Sequence, residues 1–211
     1  MLTSNHSMNS KLEKHGYFIE RNFLNRNTAD LLCLYSLKSV QDGISTPGPT
    51  DDPIEHKLSW NLGAPGHAAF DSLLGIITDK MIQLCEVELF PSYYYQRIYL
   101  EGADMNGHID RPACQYSCTV NLGQSDQYPI YILDKHTDKY TEALLEPGDA
   151  MIYMGCEQRH FRKIYRGDWY SQMFLHWVDE TRPECVWDGG TTPEDLLKQY
   201  TDQWKSILYN R

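Results

Sequence analysis

The stretch GHIDRPACQYSCTVNLG spans Gly107 to Gly123. Its second half, QYSCTVNL (residues 115–122), has the composition of a strand. Its first half sets His108 and Asp110 two residues apart, just ahead of that strand. In an extended chain, residues i and i+2 point to one face. An imidazole and a carboxylate then stand side by side, two thirds of a metal site. A third ligand must come from elsewhere in the chain.

Outward from this stretch, further runs have strand character: residues 93–101, 129–134, 141–146, 150–155 and 169–179. Turn signals separate them at short intervals: EGADMNG, GQSDQYP, DKHTDKY, EPGD and YRGD. This rhythm predicts an antiparallel β-sandwich or barrel of the jelly-roll kind. Upstream, GYFIERNFL (16–24) reads as a first strand, and residues 27–40 as a helix capped by Asn27 or Thr28. DGISTPGPTDDPIEH (42–56) reads as a loop, and residues 67–87 as a second, amphipathic helix. A last helix is expected over 192–208, and the polar first 15 residues are expected to fray. The fold class is therefore mainly β with flanking α-helices. We expect one domain over 1–211, with helical support at 27–87 and a β core at about 93–179.

Composition agrees. The chain is 41% hydrophobic and 12% aromatic, with 15 tyrosines and 5 tryptophans, which favours β structure. The formal net charge of −10 argues against nucleic acid or an anionic membrane surface as the main partner. None of the six cysteines forms a C-x-x-C pair, and zinc-finger spacings are absent. The first residues show no apolar signal-peptide core, and no run is apolar enough to span a bilayer. Reduced thiols and a cytoplasmic location are the expectation.

H-x-D occurs twice. His136-Thr137-Asp138 sits between two strand-like runs and reads as an exposed hairpin turn. His108-Ile109-Asp110 has a better context. Downstream, PGDAMIYMGCEQRH raises a strand from a Pro-Gly-Asp turn and runs to His160, a histidine from a distant strand. Two histidines and one carboxylate on one octahedral face suit iron(II), leaving three positions for co-substrate, oxygen or water.

The ordered set YLEGADMNGHID, PGDAMIY, His160 and MFLHWVD resembles the 2-oxoglutarate- and iron(II)-dependent oxygenases, particularly the prolyl 4-hydroxylase-like branch. The resemblance covers roughly residues 93–179 and implies a double-stranded β-helix core. It further implies His108, Asp110 and His160 as iron ligands, 2-oxoglutarate and oxygen as co-substrates, and ascorbate as a candidate reductant. Tyr99 stands ahead of the H-x-D where that branch carries a tyrosine. Halogenating relatives have Gly or Ala in place of the carboxylate, so Asp110 points to hydroxylation.

One departure concerns the co-substrate. The branch carries Arg or Lys about ten residues after the distal histidine, to hold the far carboxylate of 2-oxoglutarate. Here that window reads Trp169, Tyr170, Ser171, Gln172. A buried dicarboxylate without a cation would be costly, and a guanidinium is its natural partner. The candidates are Arg162, Arg166 and Arg97. Arg162 lies two residues beyond His160 and, on a continuing strand, faces the same cavity. It is the first choice, with Tyr99, Tyr170 and Gln172 adding hydrogen bonds; Arg97, sharing a face with Tyr99, is second.

Other residues read more plainly. His176 looks like a packed core histidine, His67 like a helix-start residue, and Cys114, Cys118 and Cys156 like small core fillers. Thr119 and Asn121 share a strand face and are candidates to line the cavity. Trp60 and Asn61 fall in a segment suited to a substrate lid. The expected activity is hydroxylation of an unactivated C–H bond in an amino acid, small metabolite or peptide side chain. The alternatives are a cupin-like metalloprotein binding a small ligand without 2-oxoglutarate turnover, and an interaction module with structural histidines.

Overall fold

The computed structural model describes residues 9–48, 55–56, 59–63 and 67–182. In chain order the elements are α1 (Ser10–His15), β1 (Tyr17–Glu20), α2 (Arg26–Gln41), β2 (Thr46–Pro47), β3 (Glu55–His56), β4 (Ser59–Gly63) and α3 (Ala68–Cys85). The remaining strands are β5 (Phe90–Leu100), β6 (Asp104–His108), β7 (Tyr116–Gln124), β8 (Ile130–Asp134) and β9 (Lys139–Ala143). They continue with β10 (Ala150–Met154), β11 (His160–Arg162) and β12 (Trp169–Val178). The strands form two antiparallel sheets, a major one in the order β1-β10-β7-β12-β5-β4-β2 and a minor one in the order β3-β6-β11-β8-β9. This is the expected jelly-roll architecture.

The period of two along the central strands divides the molecule. On β7, Tyr116, Cys118, Val120 and Leu122 join a large apolar cluster that includes residues of α2 and α3. Ser117, Thr119 and Asn121, on the opposite face, are equally buried but polar. β12 repeats the division, with Met173, Leu175 and Trp177 in the cluster and Gln172 and His176 buried outside it. One face of the major sheet thus carries the helices, and the other turns polar groups toward the interior.

Helix α2 begins at Asn25, whose Oδ1 accepts from the Thr28 backbone N–H at 3.0 Å, rather than at Asn27 or Thr28. It buries Ala29, Leu32, Cys33 and Ser36, spaced by three and four residues. Helix α3 packs Phe70, Leu73, Leu74, Ile77 and Met81 into the same cluster. Phe70 meets Tyr35 at 5.3 Å and Tyr94 at 5.7 Å between ring centroids. The fully buried Trp177 indole N–H donates to Thr78 Oγ1 at 3.0 Å, which ties α3 to β12. Each large side chain buried here contributes about 1.5–3 kcal/mol.

Several segments differ from expectation. Residues 101–107, read as a turn, contain only a short turn with Gly102 at φ +88°. The chain then forms β6, because Met105 buries against the minor sheet and β11 supplies its partner. Residues 141–146 were expected as a strand. The strand there starts and ends earlier, in register with β8 from Asp134↔Lys139 to Ile130↔Ala143. The segment 42–56, expected as loop, contributes β2 and β3, and β4 follows it. The helix expected at 192–208 and Cys185 lie outside the described residues. The other five cysteines are free thiols, four of them buried. Among the described residues, no helix is long and apolar enough to cross a membrane.

Candidate metal centre

His108 ends β6 and His160 begins β11, and the two are direct cross-strand partners. Their ring centroids lie 4.4 Å apart. Asp110 lies just past the end of β6, held by its backbone N–H donating to the Gly155 carbonyl at 2.8 Å. Its Oδ1 sits 3.5 Å from His108 Nε2 and 3.7 Å from His160 Nε2. One donor atom from each of the three residues falls within 4.8 Å of the others.

Every other polar atom of the three is already committed. His108 Nδ1 lies 2.8 Å from the Asn106 carbonyl, and His160 Nδ1 lies 3.0 Å from the Gln158 carbonyl. A carbonyl only accepts, so Nδ1 carries the proton in both rings and Nε2 keeps its lone pair. Asp110 Oδ2 accepts from the Tyr153 hydroxyl at 3.0 Å and from Ser117 Oγ at 3.3 Å. Two Nε2 atoms and one Oδ1 therefore converge without a further role. A divalent metal bonded at about 2.1 Å holds adjacent donors about 3 Å apart. The present spacing closes onto such an ion with small shifts.

Electrostatics point the same way. Burial acts to raise the Asp110 pKa, but the hydrogen bond that His108 donates when its ring is protonated, and the charge of the neighbouring imidazoles, hold it at about 2. Burial pushes His160 down, which keeps it neutral and ready to ligate. For His108, burial acts downward, but the hydrogen bonds to Asp110 and to the Asn106 carbonyl raise it on balance.

A cavity of about 460 Å³ opens onto the three residues, walled by Tyr93, Tyr95, Arg97, Arg111, Phe174 and His176 among others. Two arginines flank Tyr99. Arg162, 2% exposed, donates through Nη2 to Gln172 Oε1 at 2.6 Å and through Nη1 to the Tyr128 carbonyl. Gln172 in turn donates to Thr119. The Arg162 guanidinium carbon lies 4.5 Å from the Tyr128 ring, 5.1 Å from Tyr170 and 5.7 Å from Tyr99. Its Nε and the Tyr99 hydroxyl are buried with no hydrogen-bond partner among the described residues. Two orphaned donors in one place fit a bound acceptor. Arg97, on the other side, donates to Asn61 Oδ1 at 2.8 Å and lies over Tyr95 and Tyr99. Arg166 is exposed and lines a separate hollow with Tyr131 and Lys163, whose lining includes none of His108, Asp110 and His160.

His176 packs as expected for a core histidine, yet it also lines the cavity. Its Nδ1 sits 2.9 Å from Ser117 Oγ, and burial lowers its pKa to about 4. The second H-x-D forms a turn, with Asp138 at φ +54°. Neither Thr119 nor Asn121 is among the residues lining the cavity: Thr119 accepts from Gln172, and Asn121 donates to Gln124 and the Leu145 carbonyl. Sequence reasoning missed Tyr153, Ser117, Arg111, Tyr93 and Gly155. Strand alternation alone would have offered Tyr153 and Ser117, since each lies an even number of residues from another inward-facing position on its strand.

Neither a family model nor a curated protein matches the sequence. Solved structures do. A prolyl-4-hydroxylase from Pseudomonas putida aligns at TM-score 0.66 and 14% identity, covering 81% of this chain and 96% of that one. The chain has the fold of the 2-oxoglutarate- and iron(II)-dependent oxygenases. A prolyl hydroxylase from Trichoplax adhaerens, in complex with a hypoxia inducible factor peptide fragment, aligns at TM-score 0.68 and 15% identity over 84% and 90% of the chains. The epimerase SnoN, in complex with Fe3+, α-ketoglutarate and nogalamycin RO, aligns at 0.64 and 10% over 82% of each.

Proposed function

We propose that the protein is an iron(II)- and 2-oxoglutarate-dependent dioxygenase that hydroxylates an unactivated C–H bond of an amino acid, small metabolite or peptide side chain. One observation carries this reading. His108, Asp110 and His160 present three converging donor atoms while hydrogen bonds occupy all their other polar atoms. That arrangement suits a two-histidine, one-carboxylate iron site with open positions. The solved structures of this fold that hold Fe3+ with α-ketoglutarate and nogalamycin RO, or a peptide fragment, support the cofactors and the small-molecule and peptide substrate classes.

The chain's own residues divide the work. His108, Asp110 and His160 would hold the iron. Iron with 2-oxoglutarate supplies the oxidising power from oxygen, with ascorbate as the proposed reductant. Arg162 Nε and the Tyr99 hydroxyl would receive the far carboxylate of 2-oxoglutarate, backed by Gln172 and Tyr170. Arg97 is the second choice for this role. Tyr95 and Phe174 give the cavity aromatic walls against which a substrate would pack. The free thiols fit a reducing compartment, and the cytoplasm is the proposed location.

Thermal unfolding with manganese(II), then with added 2-oxoglutarate or N-oxalylglycine, tests the reading. Stabilisation by metal, increased by either acid and lost in His108→Ala, is expected. Metal binding without any response to either acid, and without succinate release, would favour the cupin-like alternative. Wild-type ligand responses in His108→Ala would sink both.

A further inference from the structure

We infer that the substrate carries a carboxylate, which Arg111 receives at the wall of the metal cavity; this rests on the oxygenase reading above. Arg111 directly follows the ligand Asp110 and lines the cavity. Although exposed, its side chain is held by Tyr93 through two contacts. Its Nε–H donates to the Tyr93 hydroxyl at 2.9 Å, and its guanidinium carbon stands 4.6 Å from the Tyr93 ring centroid. Tyr93 is itself anchored. Its hydroxyl lies 3.0 Å from Cys114 Sγ, and its ring lies 4.5 Å from that of His176 at 31°. A cation placed this firmly beside a metal ligand loses little freedom when it takes a partner.

No carboxylate pairs with Arg111 among the described residues. Among the described residues, Asp110 is the sole acidic residue lining the cavity, and the metal would claim its Oδ1. Nε is committed to Tyr93, and the guanidinium also hydrogen-bonds the Cys114 thiol, a weak partner that a carboxylate would displace to meet the two terminal nitrogens end-on. That edge matches the two oxygens of a carboxylate. The charge also matches: one guanidinium balances one carboxylate, whereas a phosphate monoester carries about −1.5 to −2. The chain as a whole bears −10, so an anion reaches this cavity through local pairing and not through long-range attraction. Phe174 and Tyr95 provide an apolar wall for the body of the acid, and about 460 Å³ accommodates a small molecule.

The test uses the full chain loaded with manganese(II) and N-oxalylglycine, so that no turnover occurs. Calorimetric titrations compare acids with their primary amides: L-leucine and L-leucinamide, L-phenylalanine and L-phenylalaninamide, phenylacetate and phenylacetamide, 4-methylpentanoate and its amide. At least one acid is expected to bind about ten- to a hundredfold tighter than its amide. Arg111→Gln should abolish that preference, and Arg111→Lys should restore part of it. Thermal melts of both variants verify folding. Equal binding of acids and amides, no binding by any acid, or a preference that survives Arg111→Gln overturns the inference. The loading step reports separately: failure to bind manganese(II) and N-oxalylglycine sinks the oxygenase reading and this inference together. Successful loading without acid preference sinks only the latter.

Discussion

Replacing Tyr153 with phenylalanine isolates one hydrogen bond at the proposed metal centre. The Tyr153 hydroxyl donates to Asp110 Oδ2 at 3.0 Å, and the ring packs edge-on against His160 at 5.0 Å and 68°. Phenylalanine keeps the ring, so the packing of His160 is unchanged and only the donor is lost. Ser117 Oγ, at 3.3 Å, remains as a weaker partner of the same oxygen. A hydrogen bond to a charged group contributes about 1.5–3 kcal/mol. Because Ser117 persists, folding stability should fall by an amount near the lower end, about 1.5 kcal/mol. The effect on the metal is distinct. Without Tyr153 the carboxylate can rotate, and metal binding must then fix it. Loss of such a supporting partner weakens metal affinity by about 10- to 100-fold. Competition for manganese(II) against a chelating dye measures this directly, beside urea unfolding of the metal-free protein. A Tyr153→Phe protein that is less stable but binds manganese(II) within about twofold of wild type would refute the reasoning. Tyr153 would then be scaffold, and Asp110 would need no help in aiming Oδ1.

Gly155→Ala should disturb the same carboxylate through the backbone. A Cβ there would lie 2.2 Å from the Cys114 carbonyl and 2.7 Å from Asp110 Oδ2, so stability should fall by about 1–3 kcal/mol and manganese(II) affinity at least about tenfold. Arg162→Gln removes the buried cation beside Tyr99. The 2-oxoglutarate-induced thermal shift should weaken with a loss of affinity of at least about tenfold, and a wild-type shift would transfer the role to Arg97. Asp134→Asn should change the acid response. Burial acts to raise its pKa, but hydrogen bonds from His15 Nδ1 and from the backbone N–H groups of Thr137 and His136 lower it below 3.8. A carboxylate with a depressed folded pKa stabilises above its unfolded pKa, and that stability is lost as pH falls through the folded value. Urea unfolding between about pH 3 and pH 6 should show a shallower acid decline for the variant, and parallel curves would contradict the assignment.

The grouping of the candidate ligands was easier to read from the sequence than the edges of the sheets. His108, Asp110 and His160 were legible because strand alternation and the Pro-Gly-Asp turn are local signals, and the structure brings the three together. The burial of Arg162 was legible for the same reason: β11 continues past His160, so residues 160 and 162 are both buried on one face of the strand. The strand β6 was hidden. Asp104, Asn106 and Gly107 have low intrinsic strand preference, and only pairing with β3 and β11 forces them into a ladder. The supporting atoms around Asp110 were hidden for a deeper reason. Tyr153, Ser117 and Gly155 come from three different places on the chain, and nothing local in any of them mentions residue 110.

The two histidines are oriented by the same device. Each ring donates through Nδ1 to the carbonyl two residues before it, Asn106 for His108 and Gln158 for His160. Backbone carbonyls belong to every residue, so this orientation does not depend on which side chains occupy positions 106 and 158. It depends on the pairing of β6 with β11, which fixes both segments at once and sets His108 opposite His160. The carboxylate has no such arrangement. Its aim comes from two side-chain hydroxyls and from a glycine that leaves room for it. The histidine half of the site is therefore written into the sheet, whereas the aspartate half is written into particular residues. Substitutions at Tyr153, Ser117 and Gly155 should for that reason reach the metal more directly than substitutions beside either histidine.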